Sequence, residues 1–289
     1  MYYIENDQIK VAIQSKGAEL DSVYNKEEQV EYMWSGDPEV WGKKSPILFP
    51  IIGTLKEDTY YFDGKAYQLP RHGFAREMEF TVTRQTSNAI VFTLESNEAT
   101  LSKFPFPFRF DIVYTVTENQ LSVSYMVTNS GNYTMYFSVG GHPAFKVPLV
   151  AGLDYHDYYF EFNTVENTGR WPISKEGLIE KFPLPLLIYT NHLPLTKELF
   201  HKDALVFKHL SSTQVQLKSR KNKHGVLFDF NGFPYLGIWA AKDADFVCIE
   251  PWCGNADSVD TDQQLEHKDG IEPLPAGEKF ERTWTITVF

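Results

Sequence analysis

Three side chains in this sequence have surroundings suited to moving protons: His72, His142 and Glu250. His142 lies in Phe137-Ser138-Val139-Gly140-Gly141-His142-Pro143-Ala144-Phe145, where a β-favouring run meets two glycines. Paired glycines allow backbone conformations and close approaches that bulkier residues forbid, and the following proline biases His142 itself toward an extended backbone. His72 lies in Leu69-Pro70-Arg71-His72-Gly73-Phe74-Ala75-Arg76, again with glycine directly after the imidazole. Glu250 ends the apolar run Phe246-Val247-Cys248-Ile249-Glu250 and is followed by Pro251 and Trp252. Taken singly, a turn histidine and a surface glutamate are the simpler readings. Together, two imidazoles and a carboxylate form a general acid/base set.

Those residues need strands to hold them. Period-2 alternation runs the length of the chain, as in Ile9–Ile13, Ala89–Leu94, Phe110–Val116 and Leu121–Val127. The last two, joined through Thr117–Gln120, predict an antiparallel hairpin with one wet face. Further strands are expected at Met135–Val139, Tyr158–Phe162, Leu205–Lys208, Gln214–Lys218, Val226–Phe230, Tyr235–Trp239, Phe246–Glu250 and Thr283–Val288. Helical periodicity is confined to a turn or two at Pro38–Trp41, Thr100–Lys103 and Lys197–Phe200. The fold class is therefore all-β, a sandwich or barrel, with residues 1–289 as a single domain. Asp154–Leu195, interrupted by Pro172, Pro183, Pro185 and Pro194, reads as an irregular excursion from it. Alternation puts Cys248 and Glu250 on one face, and Pro251, which cannot donate to a ladder, is expected to end that strand. Glu250 would then stand at a strand mouth beside an aromatic ring.

Composition narrows the partners. Acidic residues outnumber basic ones 38 to 27, for a formal charge of -11, which speaks against a nucleic-acid or anionic-membrane surface. No apolar run approaches a membrane span, and the first residues lack the pattern of a signal peptide, so a cytoplasmic location is expected. The two cysteines, Cys248 and Cys253, are expected to be free thiols in a reducing compartment. A zinc site from His72, His142 and Glu250, or a nucleophilic cysteine, is chemically conceivable, but no short ligand spacing supports a metal. No metal or cofactor is expected.

With those pieces placed, the sequence resembles the aldose 1-epimerase (galactose mutarotase-like) superfamily, and most of all its LacX-type branch. The resemblance is carried by Lys16-Gly17-Ala18-Glu19-Leu20, Trp41-Gly42, Ser45–Gly53, Arg71–Arg76, Val139–Phe145, Gly237-Ile238-Trp239, Ile249–Trp252 with Asp257, and Leu274–Glu278. It implies a large antiparallel β-supersandwich and a cofactor-free mutarotase acting on a small sugar such as galactose. By the same resemblance Glu250 matches the general base for the anomeric hydroxyl, and His142 the acid that protonates the ring oxygen. His72 matches a second, polarising histidine, and Asp203 a sugar-binding aspartate. Arg76 and Trp252 are expected at the substrate.

The chemistry sets expectations for the proton affinities. A glutamate base should have its pKa raised by its site, and an acid histidine should have its pKa held up by a neighbouring carboxylate or carbonyl. One position departs from the family pattern. Where relatives usually carry an arginine after the glycine matching Gly53, this chain has Thr54, which has neither charge nor forked donor. That departure keeps two alternatives open: a hexose 6-phosphate mutarotase and a non-catalytic sugar-binding protein.

Overall fold

The computed structural model describes residues 1–289. Two antiparallel sheets form the body. The larger has nine strands, in spatial order Leu184–Pro194, Tyr158–Arg170, Gln214–Ser219, Gly225–Asp229, Lys279–Val288, Gln120–Asn129, Phe108–Thr117, Ala89–Glu95 and Thr81–Gln85. The smaller runs Leu205–Phe207, Tyr235–Trp239, Phe246–Cys253, Val139–Gly141 and Ile47–Leu48, with Ala144–Lys146 also paired to Phe246–Cys253. The longest α-helix is the four-residue Glu98–Leu101, capped by Asn97. The architecture is the expected all-β one with short helices.

The hairpin of the large sheet shows how the pattern works. Phe108–Thr117 pairs with Gln120–Asn129 around a two-residue turn in which Glu118 takes a positive φ of 52°. Every second residue on both strands is buried, and the intervening ones are half-exposed. The buried face packs on the small sheet: Phe49 lies 4.7 Å from Phe110, and Phe145 lies 6.2 Å from Phe228. A cluster of 71 buried residues fills the space between. Gly141 belongs to this contact, since a Cβ there would come within 2.6 Å of the Tyr125 hydroxyl.

Three expectations fail for identifiable reasons. The strand starting at Phe246 does not stop at Pro251 but continues to Cys253, buried on both faces throughout. The Ile249 amide donates to the Pro143 carbonyl, so by alternation residue 251 faces the same flank. There the neighbouring chain breaks between Val139–Gly141 and Ala144–Lys146, so a missing N–H at Pro251 interrupts little. Pro38–Trp41 makes a turn instead of a helix. Asp154–Leu195 is more regular than its prolines suggest. It forms two long strands, Tyr158–Arg170 and Leu184–Pro194, whose register shifts repeatedly through bulges. Pro185 and Pro194 are accommodated because that second strand is the sheet edge. No helix is long and apolar enough to cross a membrane.

Candidate active site

The outer face of the small sheet, away from the large one, has been cleared of side chains around Glu250. Gly237 is its direct partner on one neighbouring strand, and Gly140 pairs with Trp252 on the other. A Cβ on Gly237 would fall 2.4 Å from the Trp252 ring, and one on Gly140 would fall 2.8 Å from it. Both glycines therefore let the indole lie across its neighbouring strands. His142, two residues after Gly140, lies on the same face. The result is a cavity of about 330 Å³ with Glu250, His142 and Trp252 on its floor, within the size range of small-ligand pockets.

Glu250 and His142 are the buried acid and imidazole that meet in it. Glu250 is 1% exposed and His142 7%, and His142 Nε2 stands 3.4 Å from Glu250 Oε2. Trp41 stacks on the imidazole with centroids 5.0 Å apart, Trp239 meets it edge-on at 5.5 Å and His72 at 5.8 Å. Excluded from water, both groups favour their neutral forms. Burial pushes Glu250 well above the usual carboxylate range, against the opposing pull of Arg71. Burial also pulls His142 down, to about 3, with Arg71 and Arg76 adding to the effect. The raised glutamate is as the chemistry required. The expectation that a carboxylate or carbonyl would hold His142 up is overturned, because desolvation outweighs the upward pull of a hydrogen bond to its own backbone. Where the pair holds a single proton, these opposite shifts favour its residence on Glu250 over His142.

His72 approaches from the loop after Leu69. Its backbone is left-handed, φ 68°, an uncommon conformation for a non-glycine residue. Gly73 behind it packs against the Phe49 carbonyl, where a Cβ would come within 2.3 Å. The Gly53 amide donates to His72 Nδ1 at 3.0 Å. That bond makes Nδ1 the acceptor and places the ring proton on Nε2, since a neutral imidazole has one of each. Arg71 Nε is placed to donate to Nε2 at the longer distance of 3.3 Å; a neutral ring accepts at only one nitrogen, and the shorter Gly53 bond sets the tautomer. Burial holds His72 well below its ordinary range, and His142 and Arg71 push the same way.

Arg71, Arg76 and Asp203 complete the polar wall. Arg71 Nη2 is 3.8 Å from Asp203 Oδ1, a loose and partly exposed ion pair. Asp203 also has a positive φ, 73°, and its carboxylate accepts the Ala204 amide. Arg76 donates to the Arg71 carbonyl, and its Nε is buried without a partner. Five of the eight buried side-chain polar atoms without a partner belong to pocket residues: Arg76, His142, Glu250, Trp252 and Asn255. Buried polar groups are normally satisfied, and their concentration here marks a site held ready for polar partners.

The opposite wall is apolar: Ile52, Ile173, Ile179, Ala204, Val206 and Ala256. Asp257 ties its loops together. The Asp257 amide donates to the Thr54 carbonyl, and its own carbonyl accepts from Ile179. Its carboxylate takes the Lys56 amide at 3.0 Å and the Lys268 ammonium at 2.6 Å. That ion pair is almost fully buried, with side-chain exposures of 2% and 3%. Thr54 does not line the cavity; its side chain sits against Gly177, where a Cβ would fall 2.6 Å from Oγ1. The cations that reach the pocket come from positions 71 and 76.

All six residues singled out from the sequence, Glu250, His142, His72, Asp203, Arg76 and Trp252, line this one cavity. Arg71, Trp41, Trp239, Asn255 and the loop bearing Ile173 and Ile179 were not singled out. Arg71 could have been, as a cation adjacent to His72 in a punctuated turn; the loop carries no chemical signal. Cys248 shares the Glu250 face as expected, and its sulfur, a Glu250 oxygen and a His142 nitrogen lie within 4.8 Å of one another. This grouping differs from the His72, His142 and Glu250 set considered as a zinc site. Its thiol is pushed well up by burial and by Glu250, which opposes thiolate ligation. Cys253, five residues along, faces the core, and both cysteines are free.

Comparison with known proteins bears on the family and the fold. The family model described as aldose 1-epimerase matches residues 1–272. The chain is 32% identical over 297 aligned residues to the chromosomal protein LacX of Lactococcus lactis, covering 99% of this chain and 98% of that one. Among solved structures, a galactose mutarotase related enzyme from Lactobacillus acidophilus superposes with a TM-score of 0.95 at 38% identity, covering 100% of this chain and 97% of that one. A galactose mutarotase-like protein from Lactobacillus casei gives 0.92 at 34%, with full coverage of both.

Proposed function

The chain belongs to the aldose 1-epimerase family, and from that premise we propose that it is a mutarotase interconverting the α and β anomers of a free hexose. The observation that carries the reading is the buried approach of His142 Nε2 to Glu250 Oε2, 3.4 Å, on the floor of the polar pocket. Ring opening requires one proton to leave the C1 hydroxyl as the C1–O5 bond breaks, and another to arrive on O5. Glu250 takes the first and His142 delivers the second. The working form of the pair therefore has Glu250 ionised and the proton on His142 Nε2. It is reached from the resting form by one transfer within the pair, with Arg71 stabilising the carboxylate. The open aldehyde turns about C1–C2 and closes on its other face with the proton roles exchanged. The pair carries one proton before and after, so no external proton is consumed.

The remaining residues position the sugar. His72, with its proton on Nε2, donates toward a reacting oxygen. Asp203 accepts from ring hydroxyls, Arg71 and Arg76 donate to them, and the Trp252 indole offers an apolar face to the ring. This wall supplies the cationic contacts that Thr54 cannot, which favours catalysis over a binding-only role. The reading also treats residues 1–289 as one domain, supported by the 71-residue cluster that runs from Ile4 to Val288. A second reading, a hexose 6-phosphate as substrate, is favoured by one observation: two arginines line the same wall.

Polarimetry on fresh α-galactose and α-glucose tests the proposal, with Glu250→Gln as the control and α-glucose 6-phosphate run in parallel. Rates no faster than buffer, together with measurable sugar binding, would replace the enzyme with a binding protein. Acceleration confined to the phosphate ester would select the second reading.

A further inference from the structure

Five of the eleven exposed large hydrophobic residues lie on the hairpin at the edge of the large sheet, formed by Tyr158–Arg170 and Leu184–Pro194 with the loop between them. Val165, Phe182, Leu184, Ile188 and Tyr189 are 59%, 78%, 49%, 55% and 77% exposed, and Phe182 and Tyr189 are the two most exposed large hydrophobic residues of the chain. The pairing of Glu166 with Thr190 and of Arg170 with Leu184 brackets Leu184, Ile188 and Tyr189 on one short ribbon, with Val165 next to Glu166 and Phe182 two residues before Leu184. If a full side chain offers about 150–250 Å², they present together roughly 600 Å² of apolar surface, at or above the largest patch of an ordinary monomer.

We propose that this patch is the interface of a homodimer, each copy covering the hairpin of the other about a two-fold axis. Three observations select a second copy as the occupant. Residues 182–194 contain no Asp, Glu, Lys or Arg, in a chain whose formal charge is -11. Over most of their surface two copies repel, and this segment, which carries four of the five residues, is where they meet with the least opposing charge; on the strand beside it Glu161 is paired with Lys218, Glu166 is buried, and Arg170 is the remaining charge. A two-fold contact places a patch on its own copy, and an apolar, uncharged patch is complementary to itself where a charged one is not. The area also suffices: two patches bury roughly 1,200 Å², the lower bound of a standard specific interface.

The contact is made by side chains and not by extending the sheet. Pro185 and Pro194 lack the N–H that a strand added at this edge would use, and the register shifts between Glu161 and Gly169 break the regularity that edge pairing needs. The interface adjoins the pocket wall, because Ile179 is three residues from Phe182 and Lys181 is tied to Asp260 at 2.8 Å.

Sedimentation velocity of the full chain, from about 1 to about 100 µM, reads the result directly, since an interface of this size supports dissociation constants in or below that range. The expected result is a species of twice the 33.3 kDa chain mass that becomes a monomer in the Phe182→Glu/Tyr189→Glu variant. Both positions are exposed, so the variant should keep the wild-type circular dichroism and melting temperature, which separates loss of the interface from loss of the fold. A wild type that stays monomeric throughout overturns the proposal. So does a dimer that the double substitution leaves intact, which would place the interface elsewhere.

Discussion

Replacing Glu250 by Gln should abolish catalysis and stabilise the protein, and the second effect should grow with pH. The amide preserves the shape of the carboxyl, so no cavity is opened. The loss of one proton-transfer group costs about 10²–10⁴ in rate. Stability follows from proton linkage. Burial raises the pKa of Glu250 in the folded chain, whereas the unfolded chain titrates near 4.3. Below that value both states are protonated and burial of the carboxyl carries no penalty of ionisation. As pH rises through and above it, the unfolded state gives up its proton and the folded state does not, so the wild type loses stability until the folded pKa is passed. Glutamine has no proton to lose. Each tenfold difference in proton affinity between the two states is worth about 1.4 kcal/mol, and each kcal/mol moves the melting temperature of a chain near this size by about 2–4 °C. The assay is differential scanning fluorimetry of both proteins at pH 5 and pH 8, beside polarimetry. The variant should gain on the wild type between the two pH values by several degrees. An advantage that is absent, or larger at pH 5, would refute the buried, proton-retaining Glu250 on which the mechanism rests.

The histidine partner gives the complementary result. With His142 drawn down to about 3 by burial, kcat/KM should stay flat from pH 7 to pH 5; a fall centred near 6.5 in the pH-rate profile would show an ordinary, solvated imidazole. Gly237→Ala should force the Trp252 ring off the pocket floor, since the new Cβ would lie 2.4 Å from it. A loss of about 1–3 kcal/mol in urea unfolding and a marked rise in KM are expected. Lys268→Met leaves the Asp257 carboxylate buried without its counter-charge, at a cost of about 3–5 kcal/mol by the same denaturation assay, and a higher sugar KM should accompany it. Arg71→Ala should raise KM more than it lowers kcat, and steady-state polarimetry separates the two.

Where periodicity was strong, the chain could be read directly. The hairpin around Glu118 and Asn119 was visible because each strand buries one face and wets the other. The strand carrying Glu250 is buried on both faces, so alternation could not say how far it runs, and Pro251 suggested an end that the local gap in its neighbour makes unnecessary. A glycine beside an imidazole is a local feature that the sequence displays, and both glycine-framed histidines, His72 and His142, line the cavity. The proton affinity of His142 was not legible. It depends on Trp41 and Trp239, about a hundred residues away on either side, and nothing in the sequence near His142 announces that they close around it. The same holds for the apolar wall: Ile173 and Ile179 come from a loop whose prolines suggested irregularity and whose role appears only where it folds against Asp257.

Asp257 draws bonds from Lys56, Ile179 and Lys268 and gives one to Thr54, so the segments forming the pocket's far wall share one buried anchor at that point. A fluctuation that releases one of them must release its neighbours, which makes the wall a single opening unit. In hydrogen–deuterium exchange the amides of Lys56, Ile179 and Asp257 should therefore exchange at a common rate despite their distance in sequence. That rate then bounds how often the pocket can admit anything larger than its resting mouth allows.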